Sequence, residues 1–487
     1  MLPCTANGDS RLSLWLRVRE FAVPPSMIET ATARRRAGDW AGACAAAGVD
    51  LDLDLRSVAR THGRELAARV RADLRRLAPD LLRWHLPRIA PDGLLRPGLT
   101  LTLARYGDDA TGPPHLVVRT PPAWADGGQR ISLALWDGTR RDADARRHPH
   151  PRPSRWFRLD LHRHLWDAGR SGELRARSGA DRPPADGLPP IPDLLKVPDP
   201  LELLEAVPEG RHCAVDRWAA EAAILLHAEG RTTGPVTVRI GSRHRLALHL
   251  DLDVGLNVGL DPDSIADTPR IAPAPTDGGA TALPVLPDAA TWVLPDLELL
   301  RTGSIDADQL HPLVAAALVP DGPRPRPQPD APARMLDQAR EPHLVECRGA
   351  HHRIGLVDGV LAPLDHDPTE IRREELLVAL TGTPLPCLQA IDEAHRHPDC
   401  LTGVRERLIH GDTAGALAVV EGLLGPDAVL RGGALRDELR AAAERRLAYG
   451  LFRAGLTGPG PQSGRFYPGL PHPRIRHHSR PRHTTGR

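Results

Sequence analysis

The residues best suited to chemistry in this chain are sulfurs and imidazoles gathered in its C-terminal third: Cys347, His351, His352, Asp365, His366, Cys387, His395, His397 and Cys400. Thiolate and neutral imidazole match the borderline softness of zinc, which makes Cys347, His351, Cys387, His397 and Cys400 the candidate metal ligands. Cys347 and His351 would share one loop. His397 and Cys400 stand three apart, a step that lets two side chains reach one side of a helix end. The spacing fits no zinc template, however, and Cys387 and Cys400 also suit small positions in a core. The expectation is therefore that these residues serve architecture, with no cofactor and no catalytic residue assigned.

Acids and imidazoles also alternate with leucine along strand-like stretches. Asp160, His162 and His164 would share one face, as would His249, Asp251 and Asp253. Such a face can hold a divalent ion that activates water, the arrangement of a metal-dependent hydrolase or nuclease. Asp50, Asp52 and Asp54 alternate with Leu51, Leu53 and Leu55 in the same way. Three occurrences of one pattern point to amphipathic strands rather than to three metal sites.

Other chemistries are disfavoured by composition. Lys196 is the only lysine among 63 Lys and Arg residues. It sits in a proline-punctuated stretch with no glycine loop before it, which argues against P-loop nucleotide hydrolysis, protein kinase and Schiff-base chemistry. No Gly-x-Ser-x-Gly, His-Glu-x-x-His or helix-opening Gly-x-Gly-x-x-Gly occurs. Cys213 beside His212 is no nucleophile-base pair, because neighbours on a helix point apart. The formal net charge of +1 gives no global basic field for nucleic acid, and arginine abundance beside so little lysine reads as codon bias.

The elements that must position these residues follow from hydrophobic period. With 41% hydrophobic and 26% charged residues the chain is globular, and with 3% aromatics its core must rest on Leu, Val and Ala. Six scattered cysteines without a C-x-x-C pair argue against a disulfide framework. Charges interrupt the first apolar residues, and no long apolar span follows, so the chain is expected to be cytoplasmic, with no signal peptide and no membrane contact.

The fold class expected is α+β: two mixed α/β units and a mainly helical C-terminal unit led by a short β-meander. The N-terminal unit covers 1–178, with a strand at 11–23, helical stretches at 27–48 and 56–85, and strands at 99–103, 115–119, 131–135 and 157–161. Residues 179–200 form a Pro-rich linker. A middle unit covers 201–319, with a helix near 214–229 and strands at 236–240 and 246–252. Residues 320–333 form a second Pro-rich linker. The last unit, 334–456, opens with strands at 344–347, 352–357 and 360–364 around an Asp358-Gly359 turn. Helices follow near 368–380, 386–396, 401–409, 413–424 and 434–454, the first started by Asp367-Pro-Thr-Glu370. Residues 457–487 read as a disordered basic tail, able to touch nucleic acid by charge alone.

One internal echo stands out. Gly38-Asp-Trp-Ala-Gly-Ala-Cys-Ala45 and Gly411-Asp-Thr-Ala-Gly-Ala-Leu-Ala418 share a plan in which a helix ends on Gly and Asp caps the next. Each is the shape of an αα-hairpin and resembles one unit of a tetratricopeptide-like helical repeat, although no 34-residue period recurs. Helical corners and proline linkers suit an adaptor. The function expected is that of a non-enzymatic interaction or scaffold protein with a protein partner, the metal-dependent hydrolase or nuclease being the alternative.

Overall fold

The computed structural model describes residues 10–107, 112–138, 148–181, 212–240, 244–250, 270–274, 283–320, 343–347, 350–357, 360–367, 369–373, 386, 400–424 and 433–456. Their class is mixed α+β, with helices packed on mixed and antiparallel sheets.

The main sheet has strand order β1-β6-β5-β4. Edge strand β1 (Val49–Leu51) runs parallel to β6 (Ile131–Trp136), with Val49 opposite Ile131. β5 (His115–Arg119) pairs antiparallel with β6 and with β4 (Thr100–Arg105). β4 and β5 are buried along nearly their whole length, so both faces of this sheet are covered. A short ladder, β2 (Arg88–Ile89) with β3 (Leu94–Leu95), lies beside it. Helices Arg64–Arg76 and Pro79–His85 supply Val70, Leu74, Leu81 and Trp84 to the core, Trp40–Ala46 adds Cys44, and Pro25–Arg36 and Leu55–His62 pack Met27, Ile28 and Leu55 against it.

Two expectations for this region are corrected. Residues 11–23 form a helix, Ser10–Arg17, that runs into a π-helical turn, Val18–Ala22. Leu14, Val18 and Ala22 are buried four apart, with Trp15 and Arg19 buried beside them. The sequence alternates apolar residues at Leu12, Leu14, Leu16 and Val18, and every second member of such a row, four apart, also lies along one side of a helix. Residues 157–161 make only a single bridge, Thr102 to Arg158, and then turn back as His162 N donates to the Leu159 carbonyl at 3.1 Å. The chain passes into a 3-10 turn, Arg163–Leu165, anchored where Trp166 Nε1 donates to the Leu159 carbonyl at 2.9 Å.

A second core lies under the helix Val215–Ala228, which packs on antiparallel strands β7 (Gly234–Ile240), β8 (His244–Leu250) and β9 (Arg270–Pro273). Trp218, Leu225, Val236, Val238, Leu248 and Trp292 fill it. The chain then returns to the first core, where Leu299, Ile305, Leu310 and Val314 from the stretch containing helices Pro295–Arg301 and Pro312–Leu318 are buried.

The C-terminal meander is β10 (His343–Cys347), β11 (Ala350–Val357) and β12 (Val360–Pro363), all antiparallel. Asp367 caps the turn after it, accepting from Thr369 N at 2.9 Å. Most of the expected helices 368–380 and 386–396, and the Asp358-Gly359 turn, lie outside the described residues. Helices Cys400–His410, Thr413–Leu424 and Ala434–Ala454 enclose a third, small core of Val404, Leu408, Ala416, Val420 and Ala442.

The two echoed corners adopt one geometry. Gly38 and Gly411 both take positive φ, +80° and +91°. Asp39 accepts from Gly42 N at 2.8 Å and Asp412 from Gly415 N at 2.9 Å, so each aspartate caps its helix. In each case the arginine five residues earlier donates to the capping carboxylate, Arg34 to Asp39 at 3.1 Å and Arg407 to Asp412 at 2.9 Å.

Candidate functional site

The sulfur and imidazole candidates do not assemble among the described residues. Cys387 and His397 lie outside them. Cys347 ends β10 and pairs with Ala350, while exposed His351 pairs with Glu346 across the same hairpin. Cys400 opens its helix. Among the described residues no three His, Cys, Asp or Glu side chains are placed to hold a metal. Nearby, the rings of His352 and His366 stack at 4.2 Å, and Asp365 is held by Arg353.

The alternating acids are engaged individually. Asp160 accepts from Arg158 Nε at 3.2 Å and Nη2 at 2.7 Å. His162 Nε2 lies 3.2 Å from Glu221 Oε2, and Arg177 clamps both Glu221 oxygens at 2.6 Å. Burial alone would raise the Glu221 pKa, but these hydrogen bonds hold it down at about 2. Asp54 caps a helix through Arg56 and Ser57 nitrogens. Asp50 accepts from Arg130 and Tyr449, and Asp52 from Arg453. Asp251 and Asp253 lie outside the described residues.

A cavity of about 120 Å³ opens where the first and second cores meet. Trp15, Trp84, Trp156, Phe157 and Trp292 form its aromatic walls. The guanidinium of Arg19 lies 4.2 Å over the Trp84 ring and donates to both Asp296 oxygens at 2.8 Å, and Trp84 Nε1 donates to the same carboxylate at 3.1 Å. His85 directs Nδ1 at the Leu81 and Leu165 carbonyls, and burial pushes its pKa down to about 4. Burial likewise pushes His164 well below its ordinary value. Both rings are therefore neutral at physiological pH.

Several polar atoms on the cavity's lining residues are buried without a partner: Trp15 Nε1, His85 Nε2, Arg88 Nε, His164 Nδ1 and Arg217 Nε. Arg88 bonds only to the Gly93 and Arg83 carbonyls through its other nitrogens. The chain matches no protein-family model, no curated protein and no solved structure. What the site can do must therefore be read from its own geometry.

The lining was not visible in local spacing, because its pairs join distant segments: Arg19 with Asp296, 277 residues on, and Arg177 with Glu221, 44 residues on. One signal was present. The chain has nine tryptophans and few other aromatics, and four of the nine converge here.

A second feature is the seat of the last helix, Ala434–Ala454. One side is fastened to the main sheet's edge, with Tyr449 on Asp50, Arg453 on Asp52, and Phe452 edge-on to Trp124 at 5.3 Å. Outward, Ala443, Leu447, Leu451 and Ala454 form one exposed row at helical spacing. Leu447 is 64% exposed, and Leu456 just beyond the helix is 74% exposed. No described helix is long and apolar enough to cross a membrane.

Proposed function

We propose that this chain is a non-enzymatic interaction protein of the cytoplasm, which presents its last helix to a protein partner. The observation that carries the reading is the division of labour on that helix. Its inner side is fixed by the Tyr449 and Arg453 bonds to Asp50 and Asp52, while Leu447 and Leu451 stand in water one turn apart. Solvated leucines in a row cost about 25 cal/mol for each Å² of apolar surface left uncovered. A rigidly seated helix loses little further entropy when an apolar helix of a partner is laid against it. The engagement of Asp50, Asp52, Asp160 and Glu221 in ion pairs supports a structural use of the acids, in preference to the metal-dependent hydrolase or nuclease reading.

The test is affinity capture with the full-length chain from its own cell type, alongside a Leu447→Glu, Leu451→Glu variant. A stoichiometric partner that the wild type holds and the variant loses, with unchanged circular dichroism, supports the reading. A partner retained equally by both, or none with either, counts against it.

A further inference from the structure

We propose that the cavity between the first two cores is a binding site for a small aromatic oxyanion, a single ring carrying one carboxylate or phosphate group. This goes beyond the interaction reading and does not depend on it.

The polar atoms set the charge of the ligand. Buried donors without acceptors are rare in folded proteins, and each costs roughly 1–3 kcal/mol. Here Trp15 Nε1, Arg88 Nε and Arg217 Nε are donors by chemistry, and all three residues line one cavity. Trp15 is 9% exposed and Arg88 7% exposed, so bulk water is not their partner. What these groups lack is an acceptor, and an oxyanion is the acceptor that also answers charge.

The cations agree. Of the arginines lining the cavity, Arg19, Arg158 and Arg177 have carboxylate partners in Asp296, Asp160 and Glu221. Arg88, Arg96 and Arg217 meet none among the described residues, whereas the lining acid Asp288 accepts from Trp292 Nε1 at 3.1 Å. Three guanidinium groups are thus left over. Arg96 is exposed and Arg217 half-buried, which places the solvent side of the cavity near them.

The walls set the body of the ligand. Trp84, Trp156, Phe157 and Trp292 offer flat apolar surface that favours a ring over a hydrated inorganic ion. Size agrees as well. A cavity of ~150 Å³ holds benzene, so about 120 Å³ limits the enclosed body to a single ring, with the head group at the solvent side by Arg96 and Arg217. Water alone would leave the aromatic walls wetted, and would not neutralise Arg88 or Arg217.

The experiment titrates the full-length chain with benzoate, phenyl phosphate, inorganic phosphate and benzyl alcohol, read by tryptophan fluorescence and calorimetry. Saturable binding of benzoate or phenyl phosphate is expected, with inorganic phosphate and benzyl alcohol each about tenfold weaker or more, since each lacks one half of the recognition. The stronger of the two anions identifies the head group. Arg217→Gln, a half-buried site, should keep the fold and weaken the anion by about tenfold, and Arg88→Gln should do the same where it folds. No saturable binding by either ring anion, benzyl alcohol binding as tightly, or unchanged affinity in Arg217→Gln would each overturn the assignment.

Discussion

Arg83 Nη2 donates to the carbonyl of His410 at 2.9 Å, joining a helix of the first core to the end of a helix 327 residues further along the chain. The same guanidinium donates through Nε to the Ala22 carbonyl at 2.9 Å and through Nη1 to the Gln129 carbonyl. Arg83 is 1% exposed, and burial lowers its pKa to about 10, so it stays charged at neutral pH. One buried cation thus closes three backbone ends that belong to separate segments.

Arg83→Met should accordingly be among the most damaging single changes. It leaves three buried carbonyls without their donor, at roughly 1–3 kcal/mol each, partly offset by no longer burying a charge. A net loss of about 3–5 kcal/mol is expected. Urea unfolding of the full chain measures it, and a loss below about 1 kcal/mol would mean that the carbonyls find other partners.

The twin corners give a controlled comparison. Gly38 and Gly411 share positive φ, but a side chain at Gly38 would meet nothing within 4 Å, whereas one at Gly411 would press into the Gly128 carbonyl. Gly38→Ala should therefore cost only the left-handed backbone strain, about 1–2 kcal/mol. Gly411→Ala should cost more and loosen the C-terminal helices from the first core. Hydrogen exchange in 400–454 distinguishes them, and equal protection in the two variants would show that the close approach at Gly128 does not matter.

How far the sequence could be read depended on whether a residue's partner was near or far. β5 and β6 and the helices Cys400–His410, Thr413–Leu424 and Ala434–Ala454 were legible because period and turn residues are local signals. The alternating Leu12, Leu14, Leu16 and Val18 misled because a step of four, as from Leu14 to Val18, satisfies both periods, and only the burial of Leu14, Val18 and Ala22 beside Trp15 and Arg19 decides for helix. Asp50 and Asp52 could be seen as one face of a strand, but Tyr449 and Arg453, which claim them, lie about 400 residues away. The cavity was illegible for the same reason. Its ion pairs carry no spacing, and only the scarcity of aromatics made its tryptophans conspicuous.

Acid should destabilise the fold from mildly acidic pH downward. Burial depresses His85 to about 4 and His410 to about 3, against roughly 6.5 in an unfolded chain. Between those values the unfolded state binds more protons than the folded one, so stability rises with pH across that window and is lost as pH falls through it. Each such histidine contributes up to about 1.4 kcal/mol per pH unit. Glu221, held at about 2, adds to the loss below roughly pH 4.5. Urea midpoints at pH 7.5, 6 and 5 should fall in that order, and His85→Gln or His410→Gln should flatten the slope. A midpoint independent of pH over that range would mean that these rings are protonated without cost.

Zinc or manganese should be far below stoichiometric in gently purified full-length protein. In the meander, Asp365 is occupied by Arg353, which donates from backbone and side chain and holds its carboxyl at about 2, and the His352 ring lies flat against His366. An ion recruited there would have to displace the guanidinium before gaining Asp365 as a ligand. His351→Gln, at an exposed position, should then change stability by no more than about 0.5 kcal/mol, the range for substitutions that break no network. A bound metal instead contributes its binding free energy to folding, so a chelator would lower the unfolding midpoint sharply. Stoichiometric zinc, lost in His351→Gln together with that chelator sensitivity, would move Cys347, His351, Cys387, His397 and Cys400 from architecture to coordination and revive the metalloenzyme reading.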